Sequence, residues 1–260
     1  MGRSRAFLLS LVLASGCSAG FSPHASVTSG VMRASGTHSA TGTGVVVPLY
    51  VYSGQQWDAV INAKVRYPSV RILIIANVDN GPGNGVDPTY VSFVEKAQMA
   101  GINVLGYVYT QYGKRSATTV DADMAKWEAY YHTDGIFLDQ MSPHSPSYYQ
   151  AATAYAHAHS LWLVMGNPGA NAPGSAGTDV INYYERSGYP SLSFLKQRAH
   201  LLYGSSRWSY IAGAVPFKPL TVRATAPFVA YLFATNGKEP ECYCRLPSYF
   251  TRLVATLSTL

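Results

Sequence analysis

Thirteen carboxylates are spread along this chain of 260 residues, and few of them stand where an acid can do chemistry. Asp139 ends an apolar run, Gly135-Ile-Phe-Leu-Asp139, and Glu185 follows Ile181-Asn-Tyr-Tyr in the same manner. A carboxylate that emerges from a low-dielectric wall is open to pKa tuning. Asp79 is a third candidate, but it lies in the turn-rich stretch Asn77-Val-Asp-Asn-Gly-Pro-Gly83, where capping an Asx-turn is the commoner task. Two acids facing one cavity suit cleavage of a glycosidic bond. One donates a proton to the leaving oxygen, and the other attacks the anomeric carbon or activates water.

The remaining acids sort by position. Asp58, Asp87, Glu95, Asp121, Asp123 and Glu128 fall on expected helices or their starts, where capping accounts for several. Asp134 and Asp179 precede strands, and Glu239 and Glu241 sit in a late loop. No His/Asp/Glu cluster has metal-ligand spacing, so neither metal nor cofactor is expected. His144, in the loop after Asp139, is the one histidine placed to approach it. There is no Gly-x-Ser-x-Gly elbow to support a serine hydrolase, and no glycine-rich phosphate fingerprint.

These acids need a frame. Apolar, β-branched or aromatic runs recur at Val45–Tyr52, Val70–Val78, Val104–Tyr109, Ile136–Leu138, Leu161–Met165, Val180–Tyr184, Trp208–Ala214 and Phe228–Ala234. Helical periodicity lies between them, as with Val120, Met124 and Trp127 on one face of residues 117–131. Continuous apolar strands alternating with helices indicate a parallel sheet covered on both faces. Eight such units predict an α/β fold closed as a single (β/α)₈ TIM-type barrel over residues 45–260. The least regular unit is 216–227, which contains Pro216, Pro219 and Pro227. Barrel enzymes place chemistry at strand C-termini, the position read for Asp79, Asp139 and Glu185. Aromatics near strand ends offer sugar-stacking faces: Tyr52, Tyr107, Tyr109, Tyr112, Tyr184 and Trp208. Each alone is more often packing than ligand contact, and Tyr112, in a polar loop, is the best placed.

Ahead of the barrel, residues 1–19 read as a signal peptide, with Arg3 and Arg5 before the apolar stretch Ala6–Ala14. Ala14-Ser-Gly-Cys17 resembles a bacterial lipobox, which would place a lipid on Cys17, while Cys17-Ser-Ala19 would serve a conventional peptidase. Residues 20–44, rich in Ser, Thr and Gly, are expected to be a flexible linker. The protein is thus expected outside the cell or on its surface, touching membrane only through a lipid at Cys17. Only 12% of residues are charged, and 20 are tyrosine, a balance suited to neutral polar ligands such as sugars. The Lys and Arg are scattered rather than interleaved with aromatics, which argues against a nucleic-acid groove. A monomer is expected. Cys242 and Cys244 are close enough in sequence only for a strained local pair, and a structural role or free thiols is the plainer reading.

Five motifs occur in a telling order: Val47-Pro-Leu-Tyr-Val-Tyr52, Asn80-Gly-Pro-Gly83, Gly106-Tyr-Val-Tyr-Thr-Gln-Tyr-Gly-Lys-Arg115, Asp134-Gly-Ile-Phe-Leu-Asp139 and Leu246-Pro-Ser-Tyr-Phe250. Together they resemble the spherulation-specific (spherulin-type) family over roughly residues 45–258. The resemblance implies a (β/α)₈ glycoside hydrolase related to endo-α-1,4-galactosaminidases, cleaving a galactosamine-containing exopolysaccharide. In that family an Asp ends the fourth strand and a Glu a later one, positions that Asp139 and Glu185 match. An endo-acting, retaining enzyme is then expected, with Glu185 as nucleophile and Asp139 as acid/base, and with Gln140, Asn80, Tyr109 and Tyr112 orienting the sugar. The chain departs from the pattern at Gln140, where the family has Glu. Gln keeps the shape but cannot titrate, so a barrel that binds polysaccharide without cleaving it is the alternative. Val78-Asp79 stands where Pro-Asn is usual, and Ser53 replaces a common Pro. A basic protein would not attract free galactosamine units at long range, which favours an acetylated or mixed polymer.

Overall fold

A computed structural model describes residues 42–168, 177–199, 207–238 and 243–260. Cys17, the leader, most of the linker and Cys242 lie outside the described residues. Eight parallel strands close in chain order into a barrel. They are β1 (Gly44–Leu49), β2 (Ile72–Ala76), β3 (Asn103–Tyr109), β4 (Gly135–Asp139), β5 (Leu163–Gly166), β6 (Val180–Ser187), β7 (Trp208–Gly213) and β8 (Tyr231–Ala234). Among the described residues seven helices cover them: α1 (Gly54–Arg66), α2 (Pro88–Met99), α3 (Ala117–Tyr131), α4 (Pro146–Ala158), α5 (Leu192–Ala199), α6 (Pro219–Thr225) and α7 (Phe250–Leu257). Among the described residues no helix separates β5 from β6.

Every residue of β1, β2, β5 and β8 is buried, as expected when one side of a strand fills the barrel and the other meets helices. Two glycines permit the closest approaches. A Cβ at Gly135 would sit 1.9 Å from the Leu163 carbonyl oxygen, where β4 meets β5, and one at Gly106 would sit 2.3 Å from the Trp127 indole. That indole lies against β3 and donates through Nε1 to the Tyr107 carbonyl at 2.8 Å, fixing the residue's place in the strand.

Three of the acids assigned to structural work do it, although of the six expected on helices or their starts only Asp87 is a cap among the described residues. Asp87 caps α2, accepting from the backbone N–H of Thr89 at 2.8 Å and of Tyr90 at 3.2 Å. At the N-terminal face Asp134 accepts from the Val104 N–H at 2.8 Å, and Asp179 from the Val164 N–H at 2.7 Å. Each joins the segment before one strand to the start of the preceding strand, locking register at the face opposite the strand C-termini.

Several expected boundaries move: β2 is shorter at both ends than Val70–Val78, and β6 runs on to Ser187, so that Glu185 lies within it rather than after it. β1 stops at Leu49 instead of running to Tyr52, because the chain turns toward the N-terminus of α1. β8 begins at Tyr231 rather than Phe228, because Ala226–Phe228 continues α6 as a 3₁₀ turn. Pro227 lacks the N–H that a ladder position would require.

Candidate active site

β4 and β6 carry their acids to the same mouth of the barrel. Asp139 is the last residue of β4, paired with Tyr109 of β3. Glu185 lies in β6 opposite Ile211 of β7, after an irregularity between Asn182 and Tyr184. That irregularity turns Asn182 and Glu185 to the same side, so that Asn182 Nδ2 lies 3.5 Å from Glu185 Oε2.

The acids meet at an amide. Asn167, immediately after β5, donates from Nδ2 to Asp139 Oδ1 at 2.8 Å and from the same atom to Glu185 Oε2. Two carboxylates sharing one donor nitrogen hold their nearest oxygens within about 6 Å of each other, the sum of two ordinary hydrogen bonds. On the opposite side, Tyr107 donates its hydroxyl to Asp139 Oδ2 at 2.8 Å, and Tyr243 donates to Glu185 Oε1. Tyr50 packs against both tyrosine rings.

Burial pushes the Asp139 carboxyl above its ordinary 3.8, opposed by hydrogen bonds from Tyr107, the Gln140 backbone and Asn167. Burial, then the Asp139 charge, raises Tyr107, which keeps its hydroxyl protonated as a donor. Tyr112 is raised by burial, then by Asp139 and Tyr109, so this residue of the β3–α3 loop also lies within the field of Asp139. Tyr112 remains 36% exposed, and Tyr109 lies beneath the Arg115 guanidinium, 5.8 Å from its ring centroid.

The loops at this mouth are strained. Asn80, Gln111, Tyr112, Gln140 and Ala214 all have φ between 48° and 57°, and each follows a strand. Left-handed non-glycine residues gather at functional sites when the surroundings over-determine them. Here Gln140 accepts through its carbonyl from the Tyr112 N–H at 2.7 Å and the Thr110 hydroxyl at 2.8 Å. It therefore ties the loop bearing Tyr112 to the residue after Asp139. A small hollow of about 10 Å³, room for roughly one water, lies beside Glu185, lined by Arg186, Ser187, Ile211, Gly213, Ala214, Gly237 and Tyr243 but not by Asp139.

Several expected site residues stand elsewhere. Trp208 is fully buried at the first residue of β7, edge-on to Tyr183 at 5.1 Å, so it is core rather than a sugar platform. Tyr52 bonds to Thr89 at 2.8 Å and packs beside Tyr90 and Phe93 of α2. Tyr184 is buried and donates to the Gly188 carbonyl at 2.9 Å. Asp79 and Asn80 are exposed on the β2–α2 loop. Asn77 rather than Asp79 braces this loop, its Oδ1 accepting from the Gly81 N–H at 2.9 Å. His144 is exposed, its N–H donating to the Ser142 hydroxyl at 3.2 Å. Among the described residues, no three His, Cys, Asp or Glu side chains are gathered to hold a metal ion.

Asn167, Asn182, Tyr50 and Tyr243 escaped the sequence reading. A signal existed for the first: Gly166-Asn167-Pro168 ends a strand, but elimination among carboxylates passes over an amide. Tyr243 comes from a loop whose path no periodicity sets.

Known proteins bear on this arrangement in three ways. Spherulin-4 of Physarum polycephalum is 37% identical over 118 residues, 45% of this chain and 35% of the relative, so the match spans about a third of that protein's length. The crystal structure of Aspergillus clavatus Sph3 in complex with GalNAc superposes with a TM-score of 0.73 at 21% identity, covering 84% of this chain and 98% of the other. The YdjI aldolase from Escherichia coli K12 matches at a TM-score of 0.54 and 9% identity over 84% of this chain and 87% of its own, a likeness of barrel alone, since one fold hosts many chemistries. The model of spherulation-specific family 4 matches residues 44–257, nearly the whole barrel, and the chain belongs to that family.

Proposed function

We propose that this barrel is a retaining glycoside hydrolase that cuts within an exported, amino-sugar polysaccharide, with Glu185 as nucleophile and Asp139 as acid/base. One observation carries the reading: Asp139 and Glu185 accept hydrogen bonds from the same nitrogen of Asn167. That spacing suits double displacement, which needs carboxyl groups about 5–5.5 Å apart, rather than inversion, which leaves room for a water.

The environments divide the roles. Burial holds Asp139 toward its protonated form, as an acid requires. Donors from Asn167, Asn182 and Tyr243 surround Glu185, a setting suited to an anionic nucleophile. In the first step a Glu185 oxygen bonds to the anomeric carbon, the bond to the leaving sugar breaks, and Asp139 gives its proton to the departing oxygen. In the second, water attacks the same carbon, Asp139 takes its proton, and Glu185 leaves as a carboxylate. Tyr112, exposed and close to Asp139, offers a ring to the sugar, with Tyr109 behind it. The GalNAc held by Sph3 supports an acetylated galactosamine unit as the ligand class.

The test is a reducing-end assay on partially acetylated galactosamine polymer, with the first-formed anomer followed by proton NMR. Hydrolysis with retained configuration, lost in Asp139→Asn and Glu185→Gln, is expected. Inverted product would overturn the nucleophile assignment. Polymer binding without cleavage would make the chain a binding module, the reading that Gln140 otherwise favours.

A further inference from the structure

Asn167 takes no part in the two steps above, yet it is the residue on which both acids converge. It is 5% exposed, and its Nδ2 carries two hydrogens directed at two carboxylates. An amide has an opposite face. Half a turn about its last bond would bring Oδ1 against both acids, replacing two attractions with two repulsions.

The structure opposes that turn. Asn182 Nδ2 donates to Asn167 Oδ1 at 3.2 Å, and the Ser209 hydroxyl donates to Asn182 Oδ1 at 3.3 Å. Asn182 and Ser209 are both fully buried. A relay thus runs from β7 through β6 to the end of β5, and each amide in it is used on both faces. Buried amides are costly unless satisfied, and a satisfied network rigidifies what it touches.

We propose that Asn167 is a positioning residue for both acids, and that Asn182 and Ser209 hold its amide in the one orientation that donates to them. The consequence for turnover rests on the glycosidase reading, whereas the positioning itself needs no substrate. Two carboxylates this close would otherwise tend to share a proton. Donation to both favours their charged forms and offsets the burial of Asp139. Among the described residues, the groups facing the pair include Tyr107, Tyr112 and the Gln140 backbone toward Asp139, and Asn182 and Tyr243 toward Glu185.

The experiment titrates carbon-13-labelled Asp and Glu carboxyls by NMR in the full chain, without substrate. Asn167→Leu keeps the bulk and removes both donors, and should raise the apparent pKa values of the pair by about one unit or more. Asn182→Ala leaves the Asn167 donors present but unaimed; because Asn182 also lies within reach of Glu185, its readout is the Asp139 carboxyl, which should show a smaller shift of the same sign. If Asn167→Leu does not fold, Asn182→Ala carries the test. On polymer, kcat should fall in both variants with KM little changed. Lowered melting temperature with unmoved titrations would mean a merely structural role and would overturn the proposal. Shifted titrations in a chain that hydrolyses nothing would sink the glycosidase reading and leave the positioning role standing.

Discussion

Tyr107 and Tyr243 stand in matching relation to opposite acids. Each donates its hydroxyl to one carboxylate, Asp139 or Glu185, and each packs edge-on to Tyr50, at ring-centroid distances of 5.7 and 5.4 Å. With Asn167 joining the acids on the other side, the mouth of the barrel holds a closed circuit from Asp139 through Asn167, Glu185, Tyr243, Tyr50 and Tyr107. Its members come from β4, β5, β6, the β8–α7 loop, the end of β1 and β3. No single strand sets the spacing of the acids, so a fault in any one element is resisted by the rest.

Tyr107→Phe removes one bond of this circuit without changing the ring. The lost hydrogen bond favours the charged form of Asp139, so the acid should hold its proton to higher pH. The alkaline limb of the kcat/KM profile should move up by about one unit, since a hydrogen bond to a charged group is worth roughly 1.5–3 kcal/mol. An unmoved or lowered limb would show that Asp139 is not the group titrating there.

Asp139→Asn should exchange activity for stability. The folded pKa of Asp139 lies above its ordinary value of 3.8. Its contribution to stability is therefore present below that value and lost as pH rises through the folded pKa. At pH 7, above the ordinary value, the raised pKa opposes folding, and Asn removes that cost. The melting temperature should rise at pH 7 and change little at pH 3, while kcat falls by about 10²- to 10⁴-fold. A gain of about 2–4 °C corresponds to each kcal/mol recovered in a domain of this size. A melting temperature lowered at pH 7 would contradict this account.

The barrel was legible because buried parallel strands are apolar on both sides, and eight such runs survive in the bare sequence. Asp139 and Glu185 were legible for a related reason: a charge at the end of an apolar run needs an explanation. Trp208 misled because an aromatic at the start of a strand looks, in sequence, like one at its end. It opens β7 and so lies in the core, far along the strand from the mouth. Tyr52 lies beyond the end of β1 at Leu49, after which alternation no longer says where a side chain points. Asn182 was hidden by the irregularity in β6, which breaks the two-residue period just where the site needs two side chains on one side.

Tyr112 tests whether strain serves the site. Gln111, Tyr112 and Gly113 are left-handed in succession, with φ of 52°, 57° and 76°. A non-glycine residue there costs about 1–2 kcal/mol. Tyr112→Gly keeps the N–H that bonds to the Gln140 carbonyl at 2.7 Å and relieves the strain. Thermal unfolding should show equal or greater stability, partly offset by the extra freedom of glycine in the unfolded chain. On polymer, KM should rise several-fold through loss of the exposed ring. An unchanged KM would remove Tyr112 from the sugar site.

Gln140→Glu asks whether the acid expected after Asp139 is needed. The backbone of Gln140 already does structural work, accepting from Tyr112 and Thr110 and favouring the charged form of Asp139. That work is independent of the side chain, so the variant should fold as the parent does. A new carboxylate beside Asp139 would raise the latter's pKa further, because like charges disfavour ionisation. With Asp139 and Glu185 forming the complete pair, the parent should already hydrolyse polymer. In Gln140→Glu the alkaline limb should then move upward and kcat should change by less than about tenfold, the scale of a one-unit change in one acid. A silent parent with strong activity in Gln140→Glu would place the proton donor at position 140. Asp139 would then serve to orient or stabilise, and the parent chain would be a barrel that holds its polysaccharide without cutting it.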